Sequence, residues 1–544
     1  MCIRDSLVLA AIHLEASPRA VPLGPAMLAS ALKRAFPEAV QTRVVDLFLQ
    51  QSAEACADLI LASAPDAVGL SLYVWNRALG RDIARLLRAR QPSLILFAGG
   101  AEVSADPEGM LAEGWLDLVL PGEGEETLVT VVGDLLRGLP LAEVQARIRP
   151  AIVQDLSTLP SPYLDGTLDP TAYTGMLWEL SRGCPFRCDF CFESRGTPGT
   201  RRVPLARVTA ELDCFEACGV NQVFVLDPTF NYDREQAKGI LRLIAERAPA
   251  MHFFFEIRSE FIDAELAELF AGIHCTLQIG LQSADDAVLR RISRNIDPAD
   301  FEAKVLLLHE AGATYGFDLI YGLPGDTLAG FCASLDYAFS LAPNHVDIFP
   351  LSVLPGTRLH DTAPELGLQH LREIPYTVLQ SPTFSVADMA AGGRLAAACD
   401  RLYNQGRAVP WFALVREALD LAPSELFAQF ADFQEAHPEP DTTALQAAFV
   451  QACFEGGPEG TVAADLATYF GRSGALLEAG GPGPEGPCLA TFHHDPRVLL
   501  DLLYSGLTDL AQLADLLPAH PCQAELSLED GEIGLQVLGE DLAP

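Results

Sequence analysis

The sequence predicts an α/β protein built from three parts. These are a flavodoxin-like doubly wound N-terminal domain, a partial TIM-like (β/α)6 barrel, and a mainly helical C-terminal extension with a small α+β tail. Strand and helix patterns alternate over residues 7–137 and again over 175–355. The strands are continuous apolar runs, which is typical of parallel sheets covered on both faces. Residues 383–470 are rich in Ala, Leu and Glu, which favours helices.

The N-terminal domain, placed at residues 1–137, contains five predicted strands. Helical patterns near 24–35, 52–63 and 77–90 separate them. Five strands at this spacing suit a flavodoxin-like sheet, whose ligands bind at the carboxyl edge. The predicted strands are Leu7–Ile12, Thr42–Val45, Ala67–Ser71, Leu94–Ala98 and Asp117–Leu120.

Five prolines interrupt residues 138–174, which we interpret as a linker. The barrel is placed at 175–370. Six βα units are fewer than the eight of a closed barrel, so we expect a partial one. Its predicted strands are Met176–Ser181, Gln222–Asp227, His252–Ile257, Thr276–Leu281, Thr314–Ile320 and Val346–Leu351.

Residues 371–544 are placed in a C-terminal domain whose sequence indicates no chemistry. A Gly/Pro hinge is expected at 480–487. The string His493-His494-Asp495 could coordinate a metal, although an exposed turn is the favoured interpretation.

The charge balance is strongly acidic, with 73 Asp and Glu against 36 Lys and Arg and a net charge of −37. Nucleic-acid binding depends largely on neutralising phosphates with clustered positive charge. We therefore expect neither nucleic acid nor an anionic membrane as partner. No apolar run is long enough for a membrane span, and no secretory signal is apparent, so a cytoplasmic protein is expected.

Three of the thirteen cysteines, Cys184, Cys188 and Cys191, lie within eight residues directly after the first predicted barrel strand. An odd count in a long chain argues against a disulfide framework. Three thiolates can hold three irons of a cubane and leave the fourth iron open to a ligand with N and O donors. A structural zinc site would need four ligands, and no Cys or His pair at finger spacing lies nearby. Zinc and unliganded thiols are the alternatives.

This cysteine spacing resembles that of the radical S-adenosylmethionine (SAM) superfamily. The resemblance implies a [4Fe–4S] cluster whose open iron is chelated by SAM, and whose electron cleaves SAM to a 5′-deoxyadenosyl radical. It also implies that Phe190, just before the last cysteine, lies near the adenine. A flavodoxin or ferredoxin-type protein is the expected electron donor.

Polar or glycine-rich sequence follows the other predicted barrel strands, where barrels bind ligands. Each motif has a structural alternative, such as a turn at Gly322 or a helix cap at Gln282-Ser283. Together they resemble the SAM-binding motifs of the superfamily. The second strand lacks the usual Gly-Gly-Glu run, so Asp227 and Thr229 are expected to contact the methionyl amine instead. The resulting cofactor-binding candidates are Phe190, Asp227, Glu256, Arg258, Gln282, Ser283, Arg294 and Gly322.

The loops that follow the N-terminal strands resemble those of cobalamin-binding domains, with glycines that permit close backbone approach to a planar ligand. No Asp-x-His-x-x-Gly motif is present, so no histidine is placed to coordinate cobalt from below. The alternative is a domain that has lost cobalamin and only docks the barrel. The candidates here are Tyr73, Trp75, Asn76, Gly99, Gly100, Gly122 and Glu123.

The combined architecture resembles the cobalamin-binding radical SAM proteins with an uncharacterised C-terminal domain. It implies an enzyme that methylates an unactivated carbon of a small molecule. The alternatives are radical chemistry without methyl transfer (rearrangement or oxidation) and a non-catalytic iron–sulfur protein. An RNA methylthiotransferase is less favoured because the C-terminus is acidic. The sequence identifies neither the substrate nor a catalytic residue.

Overall fold

The computed structural model describes residues 6–17, 20–193, 199–479, 488–529 and 531–538, so the predicted hinge at 480–487 lies outside the described residues. The chain divides into two compact units. Unit 1 comprises Met1–Gly280, Leu289–Thr314 and Leu351–Pro382. Unit 2 comprises Leu281–Val288, Tyr315–Pro350 and Thr383–Pro544.

The N-terminal part of unit 1 is a five-stranded parallel sheet in the order β2-β1-β3-β4-β5. This is the flavodoxin-like strand order, so the predicted doubly wound domain is confirmed. The strands are β1 (Ser6–His13), β2 (Gln41–Phe48), β3 (Ala67–Ser71), β4 (Ile95–Gly99) and β5 (Leu118–Leu120).

Helices cover both faces of this sheet, and each face has its own apolar core. Because β3 and β4 are buried on both sides, they contain few polar residues. Residues 138–174, predicted as a linker, include helix α7, whose Val144 lies in one of these cores. The helices are α1 (Leu23–Ala35), α2 (Ala53–Leu61), α3 (Arg77–Arg90), α4 (Ala101–Ala105), α5 (Pro107–Ala112), α6 (Gly124–Leu136) and α7 (Leu141–Arg147).

The barrel strands of unit 1 are parallel, and β6 pairs with β9, β9 with β10, and β10 with β11. They are β6 (Gly175–Trp178), β9 (Gln222–Val225), β10 (His252–Ile257) and β11 (Cys275–Gln282), the last reaching unit 2 with its final two residues. A two-residue antiparallel hairpin, β7 (Ser181–Arg182) and β8 (Arg201–Arg202), lies between β6 and β9. The helices of this region are α8 (Leu205–Ala217), α9 (Arg234–Arg247), α10 (Ala264–Ala271), α11 (Asp286–Arg291) and α12 (Pro298–Ala311).

The first barrel strand ends earlier than the sequence predicts, at Trp178 rather than Ser181. The backbone N–H groups of Leu180 and Ser181 donate to the carboxylate of Asp227 instead of continuing a strand ladder. A side chain therefore ends the strand and turns the chain toward the cysteines.

Unit 2 contains the last two barrel strands, β12 (Tyr315–Tyr321) and β13 (His345–Pro350), which are parallel, with helix α13 (Leu328–Ser340) between them. All six predicted barrel strands are thus present. The segment Leu351–Pro382 then returns to unit 1, and we call it the strap. It contains α14 (Arg358–Thr362) and the antiparallel strands β14 (Gln369–His370) and β15 (Val378–Gln380).

The C-terminal part of unit 2 is helical and ends in an antiparallel sheet in the order β16-β17-β18. This matches the predicted helical extension with an α+β tail. Its elements are α15 (Val386–Cys399), α16 (Phe412–Ala418), α17 (Pro423–Ala436), α18 (Thr442–Cys453), α19 (Pro458–Ala479), β16 (Cys488–Phe492), α20 (Pro496–Tyr504), α21 (Leu510–Leu516), β17 (Cys522–Glu529) and β18 (Glu532–Leu538).

The histidine pair of this tail is not the exposed turn that the sequence favours. Asp465 of α19 is buried, and its carboxylate accepts hydrogen bonds from the backbone N–H and ring Nδ1 of both His493 and His494. Burial opposes ionisation of Asp465, but the bonds from the histidines outweigh it and lower its pKa. His494 is buried as well, so the pair anchors β16 to α19.

None of the described cysteines forms a disulfide. In the part of the chain that the structure describes, no helix is long and apolar enough to cross a membrane.

Candidate functional site

The three predicted metal ligands lie between β7 and β8, where the structure describes residues 183–193, 199 and 200. We call these described residues the cysteine loop. The β7–β8 hairpin closes its base through the pairs Ser181–Arg202 and Arg182–Arg201. Cys188 is buried, whereas Cys184 and Cys191 are partly exposed. The N–H of Cys191 donates to the carbonyl of Cys188 at 3.1 Å, so the last two cysteines share one turn.

Burial and hydrogen bonding have opposite effects on the pKa of the Cys184 thiol. Burial raises its pKa, and hydrogen bonds from the Phe186 N–H and the Thr229 hydroxyl act against that rise. Within the described ranges, no three His, Cys, Asp or Glu side chains come close enough together to hold a single metal ion. Cluster thiolates bind different iron atoms and stand farther apart than the ligands of one ion. Three thiols on one partly exposed loop fit the donor set of such a cluster.

Asp227 follows β9 and is 4% exposed. Its Oδ1 accepts the N–H groups of Leu180 and Ser181, both at 2.9 Å, and its Oδ2 accepts the Ser181 hydroxyl at 2.6 Å. Burial raises its pKa to about 6 in spite of these bonds. Asp227 thus fixes the chain three residues before the first cysteine of the loop.

Arg258, which follows β10, lies against the cysteine loop. Its guanidinium carbon is 3.7 Å from the centre of the Phe186 ring, a cation–π contact. Glu260 accepts hydrogen bonds from the same guanidinium, at 3.1 Å from Nε. Asn231 exchanges two hydrogen bonds with the Arg258 backbone, at 2.8 and 3.0 Å. The Arg258 side chain is therefore held in one orientation.

The other predicted residues of unit 1 in this region differ in exposure. Glu256 is exposed at the end of β10, and Phe190 is partly buried. Arg294 is 9% exposed, and its guanidinium donates to the carbonyl of Gly280 at 2.7 Å. Arg294 therefore lies beside β11 at Gly280.

Three predicted residues belong to unit 2. Gln282 has a left-handed backbone (φ +61°), and its buried side-chain oxygen has no hydrogen-bond partner. Ser283 accepts the N–H of Asp285 at 3.1 Å, but the cap of helix α11 is Asp285, whose carboxylate accepts two N–H groups of the first helical turn. Gly322 has φ +81°, a conformation that favours glycine in the turn after β12.

The carboxyl edge of the N-terminal sheet presents an aromatic pair. The rings of Tyr73 and Trp75 are stacked, with centroids 4.6 Å apart and planes at 2°. Trp75 remains 42% exposed, although its indole N–H donates to the carbonyl of Ile12 at 3.3 Å. Asn76 is buried, and its side-chain amide forms hydrogen bonds with three backbone groups, so it holds the loop in place.

Two glycines of this edge allow the backbone of other segments to approach closely. A Cβ at Gly100 (φ +103°) would lie 2.5 Å from the carbonyl oxygen of Leu72. A Cβ at Gly122 (φ +82°) would lie 2.4 Å from the carbonyl oxygen of Ala151. Gly99 is less crowded, since a Cβ there would lie 3.4 Å from its nearest neighbour.

Glu123 forms ion pairs with two arginines that the sequence analysis did not identify. Arg201 binds both of its carboxylate oxygens, at 2.6 and 2.9 Å, and Arg182 lies 3.4 Å from one of them. Burial acts to raise the pKa of Glu123, but the arginines and the N–H of Val153 outweigh burial and lower it. The arginines lie at the two ends of the cysteine loop, and that position is the only sequence signal for them.

The strap also contacts both parts of unit 1. The Tyr376 hydroxyl donates to Glu102, after β4, at 2.9 Å, and Arg77 donates to the same carboxylate at 3.0 Å. At its other end, the N–H of Leu359 donates to the carbonyl of Asp189 inside the cysteine loop at 2.8 Å. No motif in the sequence indicated these contacts.

Two family models match the chain. The model of the radical SAM superfamily matches residues 178–338, and the model of the B12-binding domain matches residues 11–132. The first match covers the cysteine loop, and the second covers the aromatic pair and the glycine loops. The predicted fold class is confirmed, and so are the predicted [4Fe–4S], SAM and cobalamin cofactors.

Relatives of known structure share this architecture. OxsB, a cobalamin-dependent SAM radical enzyme solved with aqua-cobalamin and SAM bound, superposes with a TM-score of 0.61 over 94% of this chain and 83% of its own, at 16% identity. The radical SAM methyltransferase TsrM from Kitasatospora setae, solved with cobalamin and a [4Fe–4S] cluster, gives 0.57 over 71% and 84%, at 20% identity.

A curated relative, the cobalamin-dependent radical SAM methyltransferase TokK of Streptomyces tokunonensis, is 28% identical over 361 residues. The alignment covers 60% of this chain and 52% of TokK. The chain thus spans about half the length of the curated relatives it matches.

Proposed function

The chain joins a B12-binding domain to a radical SAM domain, and we propose that it is a cobalamin-dependent radical SAM methyltransferase acting on an unactivated carbon of a small molecule. The observation that carries the proposal is the direct connection, within unit 1, between the cysteine loop and the N-terminal sheet through Glu123. When bound, the cluster and SAM supply a 5′-deoxyadenosyl radical, and cobalamin supplies a methyl group. The methyltransferases TokK and TsrM support the choice of reaction.

We assign the cluster to Cys184, Cys188 and Cys191. Arg258 and Arg294 are two cations of this region whose side chains are oriented by other residues, which suits recognition of a carboxylate such as that of SAM. Gln282 offers a buried oxygen that lacks a donor. We also propose Phe190, Asp227, Glu256, Ser283 and Gly322 as individual SAM-binding residues.

For cobalamin we propose the carboxyl edge of the N-terminal sheet. Trp75 is the more exposed member of a stacked aromatic pair, and such a surface suits a large planar ring. The backbone at Gly99 has room for a ligand to approach closely. Gly100 and Gly122 instead let other backbone segments approach, and so they determine the shape of the edge. Tyr73, Asn76 and Glu123 support this surface from behind.

The division into parts follows the sequence boundaries. We propose a cobalamin-binding domain at 1–137, a connecting segment at 138–174, a radical SAM barrel at 175–370, and a domain of unassigned role at 371–544. A flavodoxin or ferredoxin-type donor is the proposed source of the electron. The net charge of −37 favours a small-molecule substrate over a nucleic acid.

The test is an assay of anaerobically reconstituted protein with SAM, hydroxocobalamin and a reductant. We expect both 5′-deoxyadenosine and S-adenosylhomocysteine. The Cys188→Ala variant should form neither product, whereas Cys214→Ser, on helix α8 and outside the site, should retain both. An intact cluster with neither product would overturn the proposal. The deoxynucleoside alone would show radical chemistry without methyl transfer.

A further inference from the structure

The base of the cysteine loop is held by the N-terminal domain through a partly buried ionic cluster. Its five members are Arg182 and Arg201 from the β7–β8 hairpin, Glu123 and Glu125 from the loop and helix after β5, and Glu179 from the end of β6. All five belong to unit 1. Both arginine side chains are only 13% exposed.

Arg182 makes three of these ion pairs. Its guanidinium nitrogens lie 2.6 Å from Glu125, 2.8 Å from Glu179 and 3.4 Å from Glu123. Two carboxylates of the N-terminal domain and one of the barrel therefore converge on a residue two positions before Cys184. An arginine stays charged in proteins, so the Arg182 guanidinium must remain paired with these carboxylates. Their positions therefore determine its orientation.

Arg201 binds Glu123 in a two-pronged contact, and it also donates to the carbonyl of Val153. Glu123 in turn accepts the N–H of Val153 at 2.7 Å. Paired, planar contacts of this kind specify orientation as well as distance. The Glu123 carboxylate, at the edge of the N-terminal sheet, thus binds both the connecting segment, at Val153, and the C-terminal end of the cysteine loop, at Arg201.

We infer that Glu123, Arg182 and Arg201 are positioning residues that fix the cysteine loop, and with it the cluster, relative to the B12-binding domain. The inference rests on the proposed function, because it concerns the spatial relation between the two cofactors. Ion pairs on both strands of the hairpin, at the facing residues Arg182 and Arg201, hold the two ends of the loop in place. A lysine at 201 would keep the charge but lose the two-pronged contact.

Hydrogen exchange of the cofactor-free protein is the first measurement. Glu123→Gln and Arg201→Lys should speed amide exchange at Val153 and in the β7–β8 hairpin, with the core of the N-terminal sheet unchanged. The matched control is Glu143→Gln, which breaks an exposed ion pair with Arg147 in the same part of the chain. Exchange as slow as in the wild type in both variants would overturn the inference, whether or not cofactors bind.

The second measurement is dipolar electron paramagnetic resonance between the reduced cluster and cob(II)alamin in reconstituted protein. The wild type and Glu143→Gln should give a single narrow distribution of spin–spin distances, and both variants should lose it. Equal distance distributions in all four proteins would contradict the positioning role. A wild type that takes up neither cluster nor cobalamin contradicts the proposed function instead, and the exchange data then still decide this inference.

Discussion

Replacing Asp227 by Asn should make the stability of the region near β6 less dependent on pH. The wild-type carboxyl is buried, and burial raises its pKa to about 6 from an ordinary 3.8. A group whose pKa is raised on folding stabilises the fold below its unfolded pKa, and this contribution is lost as pH rises through the folded pKa. A shift of about two units corresponds to about 3 kcal/mol in all.

Part of this loss of stability falls in a pH range in which hydrogen exchange can be measured. Between pH 5 and pH 8 the wild type should lose about 1.4 kcal/mol that the Asn variant, which has no charge to bury, does not lose. That difference corresponds to about a tenfold change in relative exchange rate. Hydrogen exchange of the β6 amides, compared between the two proteins at each pH, measures it directly.

Two controls sharpen the result. Asp501→Asn, at an exposed position on α20, should run parallel to the wild type at every pH. If Asp227 contacts the methionyl amine, SAM should favour the carboxylate and reduce the pH dependence of the wild type in reconstituted protein. A difference between Asp227→Asn and the wild type that stays constant from pH 5 to 8, or that grows in the opposite direction, would refute the reasoning.

The remaining predictions concern contacts outside the cysteine loop. Asp465→Asn should cost about 3 kcal/mol, because the N–H donors of the histidine pair, including those of the buried His494, lose an ionised acceptor. Thermal unfolding followed at the C-terminal sheet measures it, with Asp515→Asn as the exposed control. Tyr376→Phe should cost about 2 kcal/mol, since it removes the hydroxyl that donates to the buried Glu102 carboxylate and accepts from Arg77. We expect the amides of the strap to exchange faster in Tyr376→Phe than in the wild type. The control Tyr504→Phe, at an exposed position, should exchange at the wild-type rate, and wild-type exchange in Tyr376→Phe would contradict the prediction.

The fold could be predicted because local pattern and tertiary structure agree in this chain. The strand β3 was predicted residue for residue, since a strand buried on both faces is a short apolar run with clear ends. The first barrel strand was predicted too long because its end is set by the Asp227 carboxylate, 46 residues away from Ser181. The strap was missed for the same reason, since its contacts lie 274 residues apart in sequence at Tyr376 and Glu102.

The glycines of the N-terminal sheet edge show why a binding site is harder to predict than a fold. A glycine marks a place where something approaches the backbone closely, but the sequence does not say what approaches. At Gly122 the approaching group is the carbonyl of Ala151, from the segment that leads to the barrel. The same approach brings Val153 to Glu123, and through it Arg201. The glycine motif that suggested a cofactor contact therefore also builds the connection between the two cofactor-binding domains.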